Sequence, residues 1–506
     1  MKAVGFKNFR KFEDFPIMEM GDITMFVGGN NSGKSTTVKA IISVLTFLRN
    51  ARFYVSGNSK QILDNNFYFN ENPYIHIGTF KRAKCNKNKL NDISFEIQLE
   101  KYLFSVFMNG DGCDENTTFA KVQRIILKDL SSNFVFDINY AKDDITMIFN
   151  KNTDLFENNP IYVADIQKLN ESKFIQDKDA RIRRKYEQDF FHKYPVVDES
   201  FQYSAKLTDI FNKKRMIGGP LISGILYNAS YYFSEKEDDL EVTQVNNFSK
   251  YDFLQTYIFK MGHMLDNILC NKPLVEYIYA HSASQILLYN SSDNNYLSKT
   301  IHEFADLRNG KDGQAFKFVQ NWMAFFDIGI DFKLETIGGE AHTFDIIDFD
   351  GKESPLADKG MGTIQLMILL LRIAIIINSH RRFGNRIPVT VIIEEPEQNL
   401  HPRKQSQLID FFYQIFKNHN IKFIIETHSE YLIRRSQVIV AENKYETEEQ
   451  LKVECPFKVY YYPENGLPYD MEYQLNGRFN RGFDSGFFDE ASKSALQLSK
   501  IERCRV

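Results

Sequence analysis

The chain has 506 residues, of which 43% are apolar and 25% charged, the balance of a folded globular protein and not of a disordered one, and its length points to about two to four domains. A formal net charge of −4 excludes a global nucleic-acid footprint, so any DNA contact would have to come from a local basic patch. The five cysteines, Cys85, Cys113, Cys270, Cys455 and Cys504, are far apart and form no CxxC pair, which argues against a zinc site or a disulfide framework and for free thiols in a reducing cytosol.

The opening MKAVGFKNFRKFEDF lacks the apolar core of a signal peptide, and a cytoplasmic protein is expected. Residues 1–80 read as a lobe that begins with strands. Within it the apolar run Ile23 to Val27 leads into Gly28 to Ser35, GGNNSGKS, and then into a helix-compatible run from Ser35 to Phe47. This is the strand, loop and helix of a phosphate-binding loop, GxxxxGK[ST]. Backbone amides between Gly29 and Ser35, with Asn30, Asn31, Ser32 and Thr36 in the same cradle, can hold β-phosphate oxygens at the positive end of the helix dipole. Lys34 adds a charge at the β/γ bridge and Ser35 can ligate Mg²⁺. Gly28 and Gly33 stand where the backbone must approach the phosphates closely. A glycine turn carrying an incidental lysine is the plain alternative.

Residues 81–325 read as an insertion that separates two halves of one nucleotide site. It starts with strand-like alternation at Ile93–Leu99 and Phe134–Ile138 and turns helical and charged from about 165 to 325. No sustained heptad repeat supports coiled-coil arms, so a compact mixed domain is expected. Its basic runs, Arg181, Arg183, Arg184 and Lys185, then Lys213, Lys214 and Arg215, have Asp177, Asp179, Glu187 and Asp189 nearby and read as solvated helix faces.

Residues 326–437 read as a second lobe, in which helix and strand alternate from 354 to 437. Asp358 to Thr363, DKGMGT, stands directly ahead of the apolar run Ile364–Asn378; Gly360 and Gly362 there make an anion-binding helix end, most economically for the γ-phosphate of a partner protomer. The run carries Arg372 and reads as too short and too charged to span a bilayer, hence as a buried core helix. Val389–Ile393 reads as a buried parallel strand that delivers Glu394 and Glu395 to a site at its C-terminal edge, Glu394 for Mg²⁺ and Glu395 to orient or deprotonate the attacking water. Ile421–Ile425 is followed by Glu426, Thr427, His428 and Ser429, where His428 is placed to sense a γ-phosphate. Residues 438–506 form a small tail, with a strand at Phe457–Tyr462, a turn at Pro463–Gly466, a strand-like Met471–Leu475 and a helix-like Asp489–Ile501.

With these residues in view the chain resembles the ABC-type ATPases of the RecF, SMC and OLD (overcoming lysogenization defect) group, often described as AAA-family ATPases. Asn8 to Phe12 is similar to their opening NFR-x-F; GGNNSGKST looks like their Walker A, ADKGMGTIQ their signature, VIIEEPEQNLHP their Walker B with D-loop, and IIETHS their switch-histidine segment. The resemblance covers roughly 1–80 and 325–437. It implies an α/β fold: an ABC-type ATPase head split by a large mixed α+β, partly helical insertion, with a small C-terminal α+β module. It further implies a dimer with ATP and Mg²⁺ at the interface, Gly362 and Thr363 facing the partner subunit's Lys34, and Gln398, Asn399 and His401 in the D-loop. Glu394 replaces the usual Walker B Asp, and no Gln is placed as the Q-loop ligand. The end FNRGFDSGFFDEASKS looks like the C-terminal module of standalone members, where OLD nucleases carry Toprim; no DxD follows residue 437, and Asp177/Asp179 and Asp348/Asp350 lie before it.

Three functions follow from this. The leading one, carried by the resemblance, is the ATPase component of a prokaryotic antiviral defence system, which assembles with and controls a separately encoded nuclease or toxin effector, with DNA possible and no membrane. The second is a RecF-like or SMC-like DNA-repair ATPase. The third is a scaffold that binds ATP and barely hydrolyses it.

Overall fold

The computed structural model describes residues 1–55, 61–63, 65–72, 75, 77–130, 134–149, 201–212, 218–236, 250–269, 275–279, 285–290, 292–293, 295–307, 313–382, 389–485 and 487–503. The two basic runs at 181–185 and 213–215, Asp177, Asp179, Cys270 and Cys504 lie outside them. Two compact units emerge, each assembled from two stretches of chain: Met1–Glu19 with Lys39–Pro273, and Met20–Val38 with Leu274–Val506. These divisions fall at points other than residues 80, 325 and 437. The reason is the opening hairpin, Ala3–Phe9 with Phe12–Glu19, whose first strand pairs with Asp92–Leu99 and so joins the sheet of the inserted region.

The first unit is built on a nine-stranded antiparallel sheet. From one edge its main path runs Phe201–Lys206, Asp144–Phe149, Phe134–Asn139, Phe119–Asp129, Tyr102–Asn109, Asp92–Leu99, Ala3–Phe9 and Phe12–Glu19. Asp92–Leu99 shows why: Ile93, Phe95, Ile97 and Leu99 alternate with less buried residues, so one face packs inward at a period of two. Phenylalanines fill that core, with Phe6 stacked on Phe15 at 4.3 Å and Phe67 on Phe95 at 5.4 Å. The helices Leu221–Lys236 and Lys250–Leu269 pack on each other, and the Tyr227 hydroxyl donates to Asp266 at 3.0 Å.

Strands also appear in the stretch read as helical. Phe201–Lys206 pairs residue for residue with Asp144–Phe149, and Val275–Ile278 pairs in parallel with Thr390–Glu394. Both are short, and their partners lie far away in sequence, so local periodicity did not reveal them.

The second unit holds a six-stranded sheet in the order Val275–Ile278, Thr390–Glu394, Lys422–Thr427, Ile23–Gly28, Phe457–Tyr462 and Tyr469–Asp470. The first five run parallel and the last is antiparallel. Ile23–Gly28 is buried at every position, as a central strand covered on both faces must be. Phe457–Tyr462, read as the start of the tail, is hydrogen-bonded directly beside it.

A smaller sheet of Tyr289–Asn290, Ala341–Ile347, Asp331–Ile337 and Glu353–Pro355 lies in the same unit. The apolar run expected at Ile364–Asn378 is part of a longer helix, Met361–Arg382, which by length and composition could cross a membrane. Most of its apolar window is buried within the protein, and Arg372 is ion-paired with Glu276 at 3.0 Å and with Glu303. Burial and this pairing, and not its length, make Met361–Arg382 a core helix.

Candidate functional site

Three neighbouring parallel strands, Ile23–Gly28, Lys422–Thr427 and Thr390–Glu394, end at one edge of the sheet, which gathers residues hundreds of positions apart in sequence. From the first strand the loop turns into the helix Lys34–Asn50. Gly33 adopts φ +112° and Asn31 φ +60°, left-handed values that the turn requires. A Cβ on Gly28 would lie 2.4 Å from the Tyr462 carbonyl oxygen, so only glycine fits between these strands. Asn30 and Asn31 are exposed at the tip, while Ser32 and Thr36 are buried.

Lys34 is 3% exposed, and its Nζ donates to the carbonyls of Gly28 at 3.0 Å and Gly29 at 2.9 Å. The ammonium is thereby held folded over the loop. Ser35 Oγ donates to Glu426 Oε1 at 2.7 Å, and Glu426 lies 3.9 Å from Lys34. Behind the loop the Tyr462 hydroxyl donates to Thr37 at 3.0 Å, which fixes the first turn of the helix to the neighbouring strand.

Glu394 ends its strand in register with Glu426, so the two carboxyl side chains leave the same face of the sheet. Burial, then the nearby Glu394 carboxylate, push Glu426 up to about 7. Tyr277, from the edge strand, is hydrogen-bonded to Glu394; its hydroxyl is raised above the ordinary tyrosine range by burial first and by Glu394 second.

Glu395 has φ +45° and its amide donates to the Glu426 carbonyl at 2.8 Å, a turn that swings its side chain out of the strand direction. There it meets His428, with Nε2 at 3.5 Å, and accepts from Gln398. The bond from His428, ahead of that from Gln398, holds Glu395 down at about 2 against the opposing effect of burial. The backbone amide of His428 donates to the buried Glu397 at 2.7 Å, so the acidic turn also fixes the histidine segment.

Gly360, Gly362 and Thr363 stand at the start of the helix Met361–Arg382. The Thr363 amide donates to the Gly360 carbonyl at 2.8 Å. A Cβ on Gly362 would lie 2.4 Å from the Asn399 carbonyl oxygen, so this glycine packs against the turn that follows the acidic pair. Asn399 is exposed with φ +58°, and His401 caps the helix Pro402–His419. Gly28, Lys34, Ser35, Glu394, Glu395 and His428 thus gather at one sheet edge, and Gly362 packs on Asn399 in the turn that runs on from Glu395.

Sequence reading gave Glu426 and Glu397 no role and passed over Tyr277 altogether. Glu426 sits two residues before His428, and that place at the end of an apolar run was the available signal; its register opposite Glu394 came only with the fold. Tyr277 carries no motif.

The residues fit a nucleoside triphosphate with a divalent cation. A glycine cradle a Cβ would fill, a lysine folded over it and a serine hydroxyl beside two strand-end carboxyls match phosphate oxygens and a hard cation. No group of three or more His, Cys, Asp or Glu side chains converges to hold a metal among the described residues, so phosphate oxygens would have to complete the coordination.

A phosphate loop at the C-terminal edge of a mainly parallel sheet is the architecture of a nucleotide-binding α/β protein. The chain belongs to the AAA ATPase domain family, whose model matches residues 1–433. A search of curated proteins returns no match. Among solved structures, an SMC head bound to the C-winged helix domain of ScpA aligns at 10% identity over 94% of this chain and 98% of that one, with a TM-score of 0.36. The SMC head domain from Thermotoga maritima aligns at 10% over 94% and 98%, TM-score 0.32. An SMC head with an extended coiled coil, bound to the C-terminal domain of ScpA derived from Pyrococcus furiosus, aligns at 11% over 99% and 99%, TM-score 0.33. At these scores the likeness decides nothing further about this chain.

Proposed function

We propose that this ATPase is an ABC-type switch that binds ATP with Mg²⁺, pairs its heads around the nucleotide and uses hydrolysis to control a separate nuclease or toxin effector in antiviral defence. The observation that carries the nucleotide chemistry is the meeting of Lys34, Ser35, Glu394, Glu395 and His428 at the ends of three adjacent strands. ATP with Mg²⁺ supplies the electrophilic γ-phosphoryl group and neutralises its charge. Lys34 then turns from the Gly28 and Gly29 carbonyls toward the phosphates. Ser35 and Glu394 would hold the cation.

Glu395 orients the attacking water. Held at about 2, it is a weak base, so its contribution is placement of the water more than removal of its proton. His428 links that carboxylate to the γ-phosphate position. Its bond to Glu395 favours slow turnover until a partner rearranges the pair, a point that also supports the scaffold reading. Gly360, Gly362, Thr363 and Asn399 are assigned to the nucleotide of the partner protomer, and the effector docks on the inserted region. The assignment to defence rests on the motif resemblance.

Mass photometry with and without ATP and Mg²⁺, on the natural chain and Glu395→Gln, followed by turnover with and without double-stranded DNA, tests this. ATP-dependent dimers that accumulate in Glu395→Gln, with turnover indifferent to DNA, are expected. Strong stimulation by DNA would move the function to DNA repair, and assembly without nucleotide and without turnover would leave a scaffold.

A further inference from the structure

Ser35 has one hydroxyl proton and two lone pairs, and the direction of the proton decides where the lone pairs face. In this protein the proton is given to Glu426 Oε1 at 2.7 Å. The acidic pair that follows the apolar strand does not receive it: Glu394 is engaged with the Tyr277 hydroxyl, and Glu395 with His428 and Gln398. Glu426 is 3% exposed, and its Oε2 is buried with no hydrogen-bond partner among the described residues. A buried carboxyl oxygen without a partner is costly, and its retention at this place calls for a use.

From this geometry we infer that Glu426 is a positioning residue for the nucleotide-borne cation: it holds the Ser35 proton and so aims a Ser35 lone pair at the metal. The inference rests on the ATPase reading and deepens it. Ser35 does not exchange partners when the cation arrives. Its O–H stays directed at Glu426 Oε1, which leaves a lone pair facing the coordination position. Loss of Glu426 frees the hydroxyl to rotate, and its proton can then turn toward the cation. Because the described residues contain no cluster able to hold a metal alone, the effect of Glu426 appears only in the complex with nucleotide.

The test uses the full chain and variants Glu426→Met, Glu426→Gln and Ser35→Ala, with a folding check by thermal melting. A fluorescent ADP analogue is titrated in EDTA, and Mn²⁺ is then titrated into the protein–ADP complex and followed by electron paramagnetic resonance. Glu426→Met should weaken Mn²⁺ binding about tenfold or more, as Ser35→Ala does, with nucleotide affinity in EDTA not reduced. Glu426→Gln keeps an acceptor oxygen and should stay within about threefold of the natural chain, where loss of a plain electrostatic role would weaken it as much as Met does. Wild-type Mn²⁺ affinity in Glu426→Met, or equal weakening in Gln and Met, overturns the inference while leaving the ATPase reading intact. If Glu426→Met does not fold, Glu426→Leu, which likewise removes the acceptor, takes its place in the same comparison. Failure of the natural chain to bind the ADP analogue overturns the ATPase reading, and this inference with it.

Discussion

Gly28 and Lys34 divide the work of the loop between shape and charge, and each can be tested alone. Gly28→Ala places a methyl 2.4 Å from the Tyr462 carbonyl oxygen and 2.9 Å from its Cβ. Because part of that obstacle is the backbone of a neighbouring strand, it cannot rotate away. A loss of about 1–3 kcal/mol in denaturant unfolding is expected, and wild-type stability would show that the two strands can part at this point. Lys34→Ala instead removes the charge-assisted hydrogen bonds a phosphate would receive. Calorimetric titration should show nucleotide affinity reduced by about ten- to a hundredfold.

Gly28, Lys34 and Ser35 were legible as one contiguous motif. Glu426 and Tyr277 were not, because what brings them to Glu394 is strand register across long stretches of chain, and single-sequence periodicity carries no register.

Among the elements, buried His342 on the small sheet of the second unit meets half-buried His302 on the helix Tyr296–Ala305. His342 Nε2 lies 3.0 Å from His302 Nδ1, and His302 Nε2 lies 3.2 Å from the Tyr289 carbonyl. Burial, then His302, lower His342 from its ordinary value of 6.5, with Asp306 opposing. The sign follows directly: below about 6.5 the unfolded chain takes up a proton that the folded one refuses, so stability falls as pH drops through that value and is fully present above it. Thermal melting between pH 5 and pH 8 should show this slope, and His342→Gln should flatten it. An unchanged slope would assign it to other groups.

The helix Met361–Arg382 was legible as a buried core helix from its apolar run, and its extent was not. Polar residues at its end, Asn378 to Arg382, stopped the apolar pattern before the hydrogen-bonded helix stopped. The strands Asp92–Leu99 and Phe134–Asn139 were legible because each exposes one face and alternates. Val275–Ile278 offers four residues, three of them half-buried in a row, and no alternation to mark it.

For the whole molecule, a ligand that binds only the folded state stabilises it by an amount that grows with the logarithm of its concentration over its dissociation constant. Nucleotide at about a hundred times its dissociation constant should add about 2.7 kcal/mol, read as a rise in melting temperature, whereas Lys34→Ala, bound about ten- to a hundredfold more weakly, should gain only about 0.4–1.4 kcal/mol at the same concentration. The α/β class was legible from the alternation of elements after residue 354. The assembly of each unit from two stretches was not, since it depends on the opening hairpin pairing with Asp92–Leu99 while the next strand joins the other sheet.

The position of Ile23–Gly28 in its sheet sets a timetable for biosynthesis. This fully buried strand leaves the ribosome about 400 residues ahead of its two flanking partners, Lys422–Thr427 and Phe457–Tyr462. At about 5–20 residues per second, it stays without them for roughly 20–80 seconds. During that interval both of its edges are open to pairing with other nascent chains, so yield in the cell should depend on holdase chaperones more steeply than the stability of the finished protein would suggest.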